Sequence, residues 1–144
     1  MMEKKTLKQN IFNRIMVNGN KRTSEKVFFK ALKLIQKTAP QKSFEAILKT
    51  AVINSSPLLY VKQIKRKRKR TIEFPFLLNS RLKLSYAVKL LVLNSKKKKA
   101  QSFYKTFNSE LLSSSKKISL SFKQKTDLHK DGFAKRKFAN YRWF

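Results

Sequence analysis

Up to Pro57 the apolar residues recur at helical spacing. Leu7, Ile11 and Ile15 fall four apart, with Phe12 and Met16 beside them, which predicts a first helix with one buried stripe. "NGN" at 18–20 ends it, because Gly19 is free to take a positive φ. Thr23 is placed to cap a second helix and Glu25 suits its first turn. Val27, Phe28, Ala31, Leu32 and Ile35 form its stripe, and Pro40 closes it. Ser43 caps a third helix carrying Phe44, Ile47, Leu48, Ala51 and Val52 on one face, with Pro57 at its exit.

The period then changes. Residues 58–64 and 71–78 are rich in β-branched and aromatic residues, and Ile72, Phe74 and Phe76 alternate with Thr71, Glu73 and Pro75. Between them stands the basic run Lys65, Arg66, Lys67, Arg68, Lys69 and Arg70. This predicts a two-stranded ribbon with a cationic tip, projecting from a helical body, with Pro75 on an edge or at a bulge. Helix returns at 80–95, where Leu84, Val88 and Leu91 mark the most buried, central helix. Residues 96–99 separate it from a fifth helix with Ala100, Phe103, Tyr104, Phe107 and Leu111, and "SSSKK" at 113–117 reads as a loop. A last helix is predicted from about Thr126 to Phe138, with Asp127 and Asp131 in its first turn. Gly132 inside it costs about 1 kcal/mol relative to alanine. The expected fold is mainly α: a six-helix, bundle-like body with a β-ribbon arm after helix 3, in a single domain over 1–144.

Charge changes the picture most. Lys and Arg number 36 against 7 acids, a formal net charge of +29. Self-repulsion at that density opposes a compact state unless counter-charge is supplied, and phosphate is the obvious supply. A nucleic acid is therefore the expected partner. An anionic membrane is the weaker rival, because the basic residues surround the chain and form no single helix face. No apolar run approaches the roughly 20 residues that span a bilayer. With no cysteine, thiolate metal sites and disulfides are excluded. The N-terminus has neither the apolar core of a secretory signal nor the Arg- and Ser-rich pattern of a mitochondrial transit peptide, so the expectation is a protein without an address or one made where it works. The abundance of Lys, Asn, Ile and Phe suggests AT-rich codons, hence an organelle or a host-reduced bacterium.

The sequence offers little to catalysis. His129 is the only histidine, and a metal site would rest on carboxylates. Asp127 and Asp131 form the one close acidic pair, and helix-dipole stabilisation accounts for them better than acid–base chemistry. A satisfied or phosphate-facing role suits His129 better than a catalytic one. The two glycines, Gly19 and Gly132, cannot build a phosphate-cradling loop. No enzyme activity, metal or cofactor is expected.

The basic clusters carry the functional reading. The run at 65–70 fits a solvated surface, a nuclear address or a phosphate-tracking arm, and the flanking strands favour the arm by making both faces of the tip cationic. Further cationic corners are Lys21 and Arg22, Lys96 to Lys99 (Lys96, Lys97, Lys98, Lys99), Lys116 and Lys117, and Lys135, Arg136 and Lys137, with Arg81 alone. Each phosphate they neutralise adds to the salt dependence of binding. Lysine outnumbers arginine, which favours backbone and shape contacts over base-edge reading. Tyr141, Arg142 and Trp143 are candidates for stacking on bases, and Trp143 fits core packing equally well.

Three stretches together resemble the seventh small-subunit ribosomal protein family. "IMVNGNKRTSEKV" (15–27) is similar to that family's M-V-D-G-K-K-S-T-A-E through Met16, Val17, Gly19, Lys21, Thr23 and Glu25. "FEAILKTAVINSSP" (44–57) keeps Phe44, Glu45 and Pro57 of F-E-x-A-L-x-N-V-x-P. "LHKDGFAKRKFANYRW" (128–143) resembles the ending V-H-R-M-A-E-A-N-K-A-F-A-H-Y-R-W through His129, Ala134, Phe138, Ala139, Tyr141, Arg142 and Trp143. Phe74-Pro75 stands at the family's V-P corner, while KRKRKR replaces the glycine pair of its ribbon, and the chain begins just before the first helix, where the family carries a basic extension. The resemblance implies the same six helices and ribbon. It also implies binding to the 3′ major domain of small-subunit rRNA, organisation of head assembly, and a ribbon near the mRNA and tRNA exit site. Implied partners are the rRNA, neighbouring head and platform proteins, mRNA and exit-site tRNA. Residence in a mitochondrial ribosome, with plastid or bacterial ribosomes as alternatives, follows from the compositional argument. The competing class is a nuclear or DNA-binding basic helical protein, with 65–70 as import address and "GNKRT" as the turn of a helix-turn-helix.

Overall fold

The computed structural model describes residues 4–41, 43–65, 71–98 and 102–143. Among the described residues there are six α-helices: α1 Lys4–Ile15, α2 Lys21–Thr38, α3 Phe44–Ser55, α4 Ser80–Lys97, α5 Phe103–Ser115 and α6 Leu120–Ala134. Strands β1 Leu59–Ile64 and β2 Ile72–Leu77 lie between α3 and α4, and a 3-10 segment, Arg136–Trp143, follows α6. The mainly α architecture with a ribbon after the third helix is as the sequence predicts.

The stripes converge on one core. Leu7, Ile11 and Ile15 of α1 meet Phe28, Ala31 and Ile35 of α2, Leu48 and Val52 of α3, Val88 and Leu91 of α4, and Phe107 and Leu111 of α5. Phe28 is fully buried and takes Phe12 and Phe44 edge-on, with ring centroids 5.1 and 6.1 Å away. The central position expected for α4 is shared: α4 packs on α1, α3, α5 and α6, and α5 on α2, α3, α4 and α6.

Helix ends follow local chemistry, with four corrections. Asn18 and Gly19 take successive left-handed conformations, φ 52° and 72°, and turn the chain from α1 into α2. The cap of α2 is Asn20, not Thr23: Asn20 Oδ1 accepts from the Thr23 N–H at 3.4 Å. Ser113–Ser115 are the last turn of α5, not a loop. The Ser113 and Ser115 hydroxyls donate to Ser109 O and Leu112 O within the helix instead of competing with it, and the Ser114 hydroxyl donates to Ser119 Oγ, beyond the helix end. The last helix starts at Leu120, capped by Ser119, and ends at Ala134. Asp127 and Asp131 therefore lie beyond its first turn, and the dipole explanation expected for them does not apply. Lys96 and Lys97 likewise belong to the last turn of α4.

The ribbon pairs in regular antiparallel register from Leu59↔Leu77 to Ile64↔Ile72. Pro75 faces Val61 without a bulge. A two-stranded ribbon tolerates it because alternate N–H groups point away from the partner strand. The described part of the ribbon does not stand clear of the body as expected. Its base packs on α6 and the 3-10 segment, Phe74 is buried, and Tyr60 meets Tyr86 of α4 at 5.0 Å between ring centroids. Gly132 explains itself here: a Cβ built on it would run into the Leu59 side chain, so glycine lets β1 close against α6. Among the described residues no helix is long and apolar enough to cross a membrane.

Candidate nucleic-acid interface

The fold gathers some of the basic corners and separates others. Lys21 and Arg22 open α2, while Lys96 and Lys97 close α4, where their charge complements the carbonyl end of the helix. Asn20 and Thr23 on one side and Lys96 and Lys98 on the other line one cleft, so the first and third cationic clusters share an end of the bundle. Lys116 and Lys117 lie at the far end of α5, whose 13 residues span about 20 Å. Lys135, Arg136 and Lys137 follow α6 beside the ribbon base, and Arg81 sits in the first turn of α4, just after the ribbon returns. Lys65 closes the described part of the first arm. Arg66 to Arg70 and Lys99 lie outside the described residues. Tyr141 in the 3-10 segment meets Phe138 at 6.1 Å, and Arg142 and Trp143 belong to the same segment.

Several cations are already committed within the protein. Lys98 Nζ donates to Glu110 Oε2 at 3.0 Å. Lys135 pairs with Glu73, and that hydrogen bond, helped by one from Gln63 Nε2 at 2.7 Å, holds the Glu73 carboxyl below its ordinary range. Arg136 lies over the Phe133 ring at 4.6 Å. Lys125, which sequence reasoning did not single out, donates to Asn54 O at 3.0 Å and so satisfies the carbonyl end of α3. Burial first, and then the charge of Lys117, lower its pKa.

Lys117 stands out in the backbone. It holds φ 62°, its N–H donates to Ser114 O at 3.1 Å, and the Ile118 N–H donates to Ser113 O at 3.0 Å. This is the paired-bond helix ending that glycine usually provides. A lysine there costs roughly 1–2 kcal/mol in backbone strain.

Two acceptors organise α6. Glu110 is 1% exposed, and its Oε1 accepts from Ser121 Oγ at 2.7 Å and the Ser121 N–H at 3.4 Å. Asn94 Nδ2 donates to Ser121 Oγ and to Gln124 Oε1, each at 2.9 Å, so α4, α5 and α6 meet in one polar network. The signal for Glu110 was available: it occupies a position of the stripe formed by Phe103, Phe107, Leu111 and Ser114. His129 Nε2 accepts from the Leu58 N–H at 3.0 Å, which fixes β1 to α6. Burial, and then Lys125, lower its pKa, so the neutral ring that this bond requires is favoured. His129 is thus satisfied within the protein. Asp127, Asp131 and Lys97 border a shallow groove between α4 and α6. Among the described residues no group of three or more His, Cys, Asp or Glu could hold a metal ion.

The sequence profile of the family Ribosomal protein S7p/S5e matches residues 2–136. The chain is similar to the small ribosomal subunit protein uS7 of a Nitratiruptor species, with 30% identity over 131 residues, covering 91% of this chain and 83% of the relative. It is 27% identical over 137 residues to the protein of the same name from Thermomicrobium roseum, covering 95% and 86%. With that of Pseudothermotoga lettingae it shares 30% over 133 residues, covering 92% and 84%.

Proposed function

The chain belongs to the ribosomal protein S7p/S5e family, a family of small ribosomal subunit proteins, and on that premise we propose that it acts as a single RNA-binding domain on the 3′ major domain of small-subunit rRNA. In this reading the helical body presents separate cationic corners to RNA segments that would otherwise repel one another, and so organises the head of the subunit. Lys21, Arg22, Lys96, Lys97, Lys116, Lys117, Arg136 and Lys137 make the phosphate contacts. Lys98 and Lys135 position these corners through their carboxylate partners. The arm that carries Lys65 to Arg70 reaches the mRNA and tRNA exit region, and neighbouring head and platform proteins complete the surroundings.

One observation carries the reading most directly. Two of the seven acids hold elements of the body together, Glu110 through Lys98 and Glu73 through Lys135, while the surplus basic charge is exposed at opposite ends of α5. Such a surface binds an extended polyanion that touches several faces. Residence in an organelle rests on composition, whereas the relatives named above are bacterial. The test is gradient sedimentation of the labelled chain with small subunits reconstituted on bacterial and on mitochondrial rRNA. The expected result is co-sedimentation with footprints confined to the 3′ major domain. A chain that stays at the top of the gradient, or footprints elsewhere, overturns the proposal.

A further inference from the structure

The cleft between the α1–α2 turn and the end of α4 has a volume of about 530 Å³, within the roughly 300–1,000 Å³ of small-molecule sites. Ile15, Val27 and Phe103 give it apolar walls. Its rim is cationic: Lys96 makes no ion pair among the described residues, and Lys21 and Arg22 follow directly on Asn20 at the opposite lip. Three buried or nearly buried hydroxyls also border it, from Ser24, Ser95 and Thr106. Each has spent its one hydrogen on a backbone carbonyl. Ser24 Oγ donates to Lys21 O at 2.7 Å, Ser95 Oγ to Leu91 O at 2.7 Å, and Thr106 Oγ1 to Phe103 O at 2.9 Å. A hydroxyl carries one hydrogen and two lone pairs, so these groups keep acceptor capacity only.

We propose that this cleft receives one unstacked base of single-stranded RNA and prefers a base whose edge carries an amino group. The inference rests on the RNA-binding reading above and adds a specific subsite to it. Apolar walls and the Phe103 ring suit the faces of a base, as stacking sites in single-strand binders do. Lysine and arginine on both lips suit the flanking phosphates. The acceptor-only hydroxyls select the edge: cytosine offers an N4 amino donor at the ring position where uracil offers the O4 acceptor.

The experiment compares oligocytidylate with oligouridylate of equal length by fluorescence anisotropy on the full chain. Their charges are identical, so the phosphate contribution cancels. Oligocytidylate is expected to bind about fivefold tighter, the worth of one net hydrogen bond. Ser24→Ala, Ser95→Ala and Thr106→Val together remove all three acceptors and abolish that preference. Thr23→Leu, at an exposed position on the lip, fills the mouth without disturbing the core and also abolishes the preference. Equal affinities for the two oligomers in the unaltered chain overturn the proposal, as does a preference that survives both variants. Equal affinities with a steep salt dependence remove the subsite alone. Failure to bind either oligomer or an rRNA fragment removes the RNA-binding reading as well.

Discussion

Replacing Glu110 tests what holds α6 to the body. Its carboxylate is 1% exposed and accepts both donors of Ser121 on Oε1 and Lys98 on Oε2. Glu110→Ala leaves the buried Ser121 N–H without its acceptor, at about 1–3 kcal/mol for one orphaned polar group. It also removes side-chain volume from a closed interface. Breaking a buried pair costs roughly 3–5 kcal/mol, but Lys98, whose side chain is 46% exposed, recovers its hydration and keeps the loss near the lower end, about 3 kcal/mol. Glu110→Gln retains a carbonyl oxygen for Ser121 but turns its amide NH2 towards Lys98, which swings out into solvent, for about 1 kcal/mol. Urea unfolding followed by far-ultraviolet circular dichroism in moderate salt measures both. If the two variants fall within about 0.5 kcal/mol of each other, the ordinary scatter of surface substitutions, the network does not anchor α6 and the reasoning fails.

Three further outcomes follow from the ribbon base and the end of α5. Gly132→Ala puts a methyl against the end of the Leu59 side chain, which has to turn aside, so the helix gain of about 1 kcal/mol over glycine is offset; in a Leu59→Ala background the gain returns in full, and a double-mutant cycle of urea midpoints that shows no coupling would contradict this. His129 has a lowered folded-state pKa, so its contribution is complete above its unfolded value of 6.5 and is lost as pH falls through the folded value; the stability gap between the wild type and His129→Gln, whose amide oxygen can replace Nε2, should close or change sign below pH 6.5, and a pH-independent gap would contradict this. Lys117→Gly relieves the positive φ and should raise stability by about 1 kcal/mol, while weakening RNA binding; a variant neutral in both respects would show that the lysine is neither strained nor engaged.

What the sequence revealed divides along a physical line. Elements whose buried face is apolar were legible: Leu7, Ile11 and Ile15, the stripe of α2 and that of α3 all enter the core, and the alternation of Ile72, Phe74 and Phe76 located β2. The start of α6 was not, because its buried positions are Ser121 and Gly132, matched by Glu110, Asn94 and Leu59, and a polar or close-packed interface leaves no hydrophobic period to read. The serine run at 113–115 misled for the same reason: local composition favours a loop, and hydroxyl-to-carbonyl bonds within the helix override it. At the candidate interface, charge was legible as clusters, but not which clusters share a face. The juxtaposition of 20–23 with 96–98 is a product of tertiary packing. Nor did charge reveal that Lys98, Lys125 and Lys135 serve the protein's own carboxylates and carbonyls.

The central claim is that RNA phosphate balances the charge this chain cannot balance itself. A titration of binding to a 3′ major domain rRNA fragment across salt concentrations, with duplex DNA of equal charge alongside, tests it most directly. Six or more neutralised phosphates predict a log–log slope of about −4 or steeper, at roughly −0.7 to −0.9 per phosphate, and tighter binding to the fragment than to the duplex at every salt concentration. A slope near zero, or duplex DNA bound as tightly as the fragment, would contradict the account.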